Sequence, residues 1–381
     1  MSAEDDLLGS IESEESRDSR CDYALYTYRL TQSSPEPSSI DKPNESSLDN
    51  ISLSLDLLHS SLSVDLELKF RENLATFLPK ASMYSNDGKV STLEILSSPA
   101  MYYYQLLQSD HSNDNDDDDD TDYTSGQSAN YVVCLICNCK QGLELFRSEL
   151  ETFCEQLKPL IQTNPPKKDQ IVGSPLNMLL KEWYFNHVLY LSRCVERCYP
   201  VLPELLQVAV KGNTKITGND KQLMADIQRF IEFSTLSLLI QLPENDELKE
   251  QTVIEVTAEG CTFSDFEHSK FCSDWAQVLL SQGATNTDPF FLKQAIENFK
   301  LKIIQDINAF KRLIQKAEAD YYSLYKSYLF LCVCGNGQLL IDCAINEANS
   351  LTDSSSSLAV LKVLQEYTKR NGFRSVKSMQ I

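Results

Sequence analysis

Apolar residues return at steps of three and four through the stretch from Asp288 to Gly337: Leu292, Ile296, Phe299, Ile303, Ile307, Phe310, Leu313, Ala317, Tyr321, Leu324, Tyr328 and Leu331. Asp288 suits an N-cap, Pro289 fits the first helical position, and Gly335-Asn336-Gly337 supplies a stop. The pattern predicts one helix over residues 289–334, a rod of about 65 Å at 1.5 Å per residue. Its other face carries Lys293, Lys300, Lys302, Lys311, Arg312, Lys316 and, further on, Lys326. The first six are the candidate partner surface, because an exposed helix face is a common way to meet another protein. Solvation alone would also favour such a face.

Ahead of this stretch the period shortens to two. Asp22–Thr31, Ile51–Leu58, Lys89–Leu96, Met101–Leu107 and Tyr131–Cys137 read as strands, the last being the most apolar and central. Val64–Leu78 fits a short amphipathic helix stopped by Pro79, and Leu143–Gln162 a second helix. The order β-β-α-β-β-β-α matches the longin type of α/β domain, a five-stranded antiparallel sheet with helices on its faces. Residues 163–174 carry Pro165-Pro166 and read as a linker. Beyond it the period is helical again, over 175–198, from Pro203 to Val210, from Asp220 to Gln241 and from His268 to Ser281. Thr252–Thr257 is a short strand, Leu339–Ala348 is ambiguous between strand and helix, and Leu358–Lys369 is a closing helix. The predicted class is α+β: an N-terminal antiparallel sheet with flanking helices over 21–162, then a mainly helical domain over 175–370.

Charge changes this picture only at the margins. Residues 1–50 hold twelve acidic and four basic side chains, and residues 109–122 hold eight Asp without Lys or Arg. Together they supply −16 of the net −21, so the acidity belongs to a disordered tail (1–20) and a disordered insert (108–129). The last residues, 371–381, read as frayed. The charge disfavours nucleic acid as a partner. No apolar run reaches the roughly 18 residues of a membrane helix, and Met1 is followed by acidic residues rather than a basic, then apolar, leader. A soluble cytoplasmic protein is expected, with any membrane contact indirect.

The candidate chemistry is sparse. Twelve Cys in 381 residues are too few for a disulfide scaffold and read as reduced thiols. Cys134-x-x-Cys137-x-Cys139 resembles half a zinc site, but residues three apart in a strand face opposite sides, and no second pair completes four ligands. Cys194 and Cys198 lie one helical turn apart, and Cys332 and Cys334 end the predicted rod. None of His59, His111, His187 and His268 sits by a nucleophile elbow. With twelve Gly there is neither a GxGxxG nor a P-loop, and Asp116–Asp120 lacks the spaced ligands of a calcium loop. No catalytic, cofactor or metal residue is assigned, and a non-enzyme is expected.

Two segments resemble the Njmu-R-one protein family of animals: Tyr131–Arg147, YVVCLICNCKQGLELFR, and the stretch DPFFLKQAIENFKLKIIQDINAFKRLIQKAEADYYSLYKSYLFL from Asp288 to Leu331. DYALYTY from Asp22 and KFCSDWAQ from Lys270 are similar to it as well, in the same order. The resemblance implies no catalytic activity. It implies a subunit of a three-part cytosolic complex, beside a large WD40-repeat protein and a FAM-ninety-one-type scaffold, that helps trans-Golgi golgins capture endosome-derived vesicles. A male germ-cell role is also attached to the family. Two alternatives stand beside it: a longin-like small-GTPase regulator or effector in membrane traffic, and a cysteine- or metal-dependent enzyme.

Overall fold

Five of the period-two segments pair into one antiparallel sheet in the computed structural model of the chain. The structure describes residues 21–32, 51–81, 87–94, 99–108, 130–163, 166, 171–212, 214–236, 252–263, 268–283, 287–350 and 355–373. The expected tail (1–20), nearly all of the insert, half of the linker and the last eight residues lie outside these. The chain divides into two units, Met1–Val188 and Leu189–Ile381.

The first unit is built on β1 (Cys21–Gln32), β2 (Ile51–Ser60), β3 (Lys89–Leu93), β4 (Ala100–Gln108) and β5 (Asn130–Cys137), ordered β2-β1-β5-β4-β3. As expected, β5 is central and Val132 to Cys137 are buried on both faces. Alternation sorts the side chains. Ala24, Tyr26, Tyr102, Tyr104, Val132, Cys134 and Ile136 point to one face, where Phe70, Leu74 and Leu78 of α1 (Val64–Ala81) cover them. The helix runs through Pro79 to Ala81 rather than stopping before it. A proline in the last turn removes one amide from the helical ladder, and the helix ends two residues later.

Leu25, Tyr103, Val133 and Leu135 face the other way, toward α2 (Arg147–Thr163) and α3 (Pro175–His187), which pack on β4 and β1. Two long-range bonds seat α3: Tyr23 donates to Asn177 Oδ1 at 2.8 Å, and Trp183 Nε1 donates to the Asp22 carbonyl at 3.2 Å. The sequence places residues from Pro175 onward with the helical domain. These bonds put α3 in the sheet unit, and the division falls after Val188.

The second unit begins with α4 (Tyr190–Cys198), α5 (Leu202–Lys211) and α6 (Lys221–Ser234). A small sheet follows the order β6-β7-β8, from β6 (Thr214–Gly218), β7 (Thr252–Thr257) and β8 (Gly260–Phe263). Only β7 is foreseen; β6 and β8 are five and four residues long, too short for their period to register. Arg193 makes a two-pronged bond to the buried Asp226 at 2.8 Å, fixing α4 against α6. Arg197 pairs with Asp220, the α6 N-cap, at 2.7 Å and donates to the Ala258 carbonyl, so one guanidinium joins two helices to the β7–β8 turn.

Next come α7 (Lys270–Leu279), α8 (Pro289–Ala317), α9 (Tyr321–Cys334), α10 (Gly337–Ser350) and α11 (Ser355–Asn371). The single rod over 289–334 is therefore two helices. The α8 ladder ends with Ala319 N–H bonded to the Lys316 carbonyl; Asp320 is then extended (φ −145°, ψ 117°), and its carboxylate accepts from the amides of Tyr322 and Ser323. α9 folds back on α8, with the rings of Phe310 and Phe330 stacked at 6.4 Å, each ten residues from the break. A pattern step across the break, Ala317 to Tyr321, mimics continuity, yet Tyr321 is 91% exposed. Gly335 closes α9 in the left-handed region (φ 72°), as expected, and Leu339–Ala348 resolves as helix. Phe310, Ile314, Tyr328, Leu331, Leu340, Ile341, Leu361 and Leu364 form the core beneath α8–α11.

Candidate partner-binding surface

The six basic residues chosen from the α8 pattern do not form one surface. Lys293 is fully buried, its Nζ 3.2 Å from the centre of the Phe233 ring of α6. It is removed from the candidate set. Lys300 is half-buried over the same ring, bonded to the Phe233 carbonyl at 3.1 Å and to Glu297. Lys302 pairs with the buried Asp306, and Lys311 of α8 pairs with Glu347 of α10. Arg312 and Lys316 remain exposed. A periodic cationic stripe has thus been split: its N-terminal part holds α6, its middle is paired, and two charges face water.

The thiols are sorted by the same burial. Cys134 lies on the α1 face of the sheet, and Cys137, three residues on, faces the opposite side, as strand geometry requires. Burial pushes the Cys134 thiol well up, and contact with Cys139 together with burial does the same for Cys137. Cys198 and Cys261 meet at 3.1 Å between α4 and β8; contact with Cys194 and burial raise Cys198, while contact with Cys198 and burial raise Cys261. These are protonated packing groups, far from the thiolate state that nucleophiles and metal ligands need. Among the described residues no three His, Cys, Asp or Glu side chains are placed to hold a metal ion.

The described histidines are held in local contacts. Tyr23 gives its hydroxyl proton to Asn177, which leaves its oxygen to accept from Nδ1 of His59 at 3.1 Å. Burial and the nearby Lys181 lower the His59 pKa, favouring the neutral ring. His187 packs on Phe153, and His268 meets Glu204 at 3.0 Å. His111 lies outside the described residues. One open cleft of about 400 Å³ is lined by Asp87, Gly88, Gln105, Ser148, Glu151, Thr152 and Glu155. Two of its carboxylates are taken within α2, Glu151 by Arg147 and Glu155 by Lys158. The arrangement offers no nucleophile–base pair.

Two of the six charges stay in water; a larger exposed feature of the same unit is apolar. Tyr321, Tyr322, Tyr325 and Val333 of α9 stand 91, 63, 50 and 76% exposed. The signal is present in the sequence, because YYSLYKSYLFLCVC has no polar face to turn to solvent. It is hidden while α9 is read as the continuation of α8.

Comparison with known proteins bears on both units. The model of the Njmu-R1-like protein family matches residues 23–370. Protein Njmu-R1 of Mus musculus is 30% identical over 321 residues, covering 81% of this chain and 79% of that protein. The match begins in β1 and ends in α11, spanning the sheet unit and the helical unit alike. The chain belongs to the Njmu-R1-like protein family.

Proposed function

We propose that this chain is a non-enzymatic subunit of a cytosolic complex, containing a large WD40-repeat protein and a FAM-ninety-one-type scaffold, that promotes golgin-dependent tethering of endosome-derived vesicles at the trans-Golgi network. The observation that carries the reading is family membership across nearly the whole chain, from residue 23 to residue 370. Two features agree with it. Cys134, Cys137, Cys198 and Cys261 are buried with raised pKa values, and the described histidines are engaged in local contacts. The helical unit instead exposes large aromatic side chains, the residue type that anchors protein interfaces. No helix among the described residues is long and apolar enough to cross a membrane, and membrane contact runs through the partners. The chain acts at cytoplasmic vesicles and the trans-Golgi network.

Affinity purification of the tagged full chain should recover the WD40-repeat protein and the scaffold at near-stoichiometric yield. Their absence would sink the reading. A second reading, a small-GTPase regulator or effector, is favoured by one observation, the β-β-α-β-β-β-α order of the sheet unit. It requires faster nucleotide exchange, or GTP-dependent binding, on at least one Rab or Arf protein. Flat traces across a panel dispose of it.

A further inference from the structure

Three cysteines meet where β1 begins and β5 ends. Cys21 and Cys137 stand directly opposite each other in the antiparallel register, so their side chains share one face of the sheet. Cys139, two residues beyond Cys137, would lie about 7 Å further along if the strand ran on. It does not run on. The Cys139 amide donates to the Cys137 carbonyl at 2.8 Å, a three-residue turn about Asn138. Such a turn draws the two Cα atoms into the range of roughly 4.4–6.8 Å that a disulfide spans, and the Cys137 and Cys139 side chains are in hydrogen-bonding contact. Tyr184 of α3 bonds to the same Cys137 sulfur.

Access separates the three. Cys137 is 1% exposed, whereas Cys21 and Cys139 are half-buried. A solvent-accessible cysteine beside a buried one that can attack it is the arrangement of a thiol oxidation sensor. Of the touching pair, the buried Cys137 keeps its proton; ionisation falls on Cys139, and the Cys137 S–H can bond to the thiolate that forms. The same spacing recurs at Cys332 and Cys334, but there the backbone is helical, and residues two apart project about 200° around the axis. Spacing does not distinguish the two pairs; the turn does.

We infer that Cys137 and Cys139 are an oxidation site, closed to a disulfide by hydrogen peroxide at the junction of β1, β5 and α3. The Cys139 thiolate attacks one peroxide oxygen and the O–O bond breaks. The sulfur becomes a sulfenic acid, and the departing hydroxide takes up the proton that Cys139 released. The Cys137 sulfur then attacks the sulfenyl sulfur, the S–O bond breaks, and the hydroxyl leaves as water with the Cys137 proton. Two thiols and one peroxide give one disulfide and two waters. A bond closed over three residues with one sulfur half-buried belongs to the labile class that cellular thiols reduce again. The site is independent of the proposed complex.

The test exposes the reduced full chain to hydrogen peroxide, blocks the remaining thiols with one alkylating label, reduces the disulfides and adds a second label, with peptide mass spectrometry as the readout. Cys137 and Cys139 should acquire the second label together, roughly tenfold faster than Cys332, a half-buried thiol on a helix. Cys134, on the other face of β5, should keep the first label. Cys139→Ser should leave Cys137 reduced, and Cys137→Ser should leave Cys139 as a sulfenic acid that a cyclic dione traps. Dithiothreitol should restore both thiols in wild type. If Cys137→Ser melts early, Cys137→Ala replaces it, with the same expectation. Oxidation of the pair no faster than that of Cys332 overturns the inference. A Cys21–Cys137 bond that still forms in Cys139→Ser overturns it as well, and so does a disulfide between two copies through Cys139.

Discussion

Lys293 and Asp320 show how single residues divert a helical pattern from the surface it suggests. The Lys293 ammonium is fully buried over Phe233, where an attraction to the ring is worth about 2 kcal/mol once water is removed. Phe233→Leu keeps an apolar side chain but takes away the ring, and should lower the unfolding free energy by about that amount in denaturant titration. Asp320 is held below its ordinary value of 3.8, first by its bond to the Ser323 hydroxyl and then by the amides of Tyr322 and Ser323. A depressed carboxyl contributes stability that is complete above the ordinary pKa and is lost as pH falls through the folded value. The wild-type melting temperature should therefore drop more steeply below about pH 4 than that of Asp320→Asn, which can still cap the helix but cannot titrate there. Parallel slopes for the two proteins would contradict this account of the cap.

At the scale of elements, periodicity identified the strands of the sheet unit, because each strand alternates and β5 is apolar throughout. The two faces follow from that alternation, including the separation of Cys134 from Cys137. The C-terminal fold was legible in part. Periods of 3.6 give helices but not the turns between them, and a capping Asp inside a helical pattern is a weak local signal beside twelve apolar positions. The basic stripe is split for the same reason. A Lys stripe specifies a face, but whether that face meets water or Phe233 depends on where α6 packs, which no local pattern carries. The hairpin has a direct test. Spin labels at Asn308 and Val333, both exposed, would stand about 37 Å apart on one continuous helix. Back-folding predicts about 10–20 Å, from a helix spacing of about 8–10 Å plus the label arms; a distance near 37 Å would restore the rod. The sheet unit has its own check. Phe153 of α2 is buried between the sheet and His187, and Phe153→Ala should destabilise the chain by about 3–5 kcal/mol.

Across the whole molecule, the described residues invest their chemistry in packing. Burial raises the thiols of Cys134, Cys154 and Cys343, the buried Asp226 is tied to Arg193 of a neighbouring helix, and several of the large groups left in water are aromatic. The proposed role as a binding subunit therefore rests on its surface and its family rather than on any single titratable group. The most direct measurement of that claim is vesicle capture itself. A trans-Golgi golgin relocated to mitochondria should collect endosome-derived carriers in cells that contain the chain. Acute depletion should reduce that capture severalfold, with recovery on re-expressing wild type. Capture that continues unchanged in depleted cells would contradict the account.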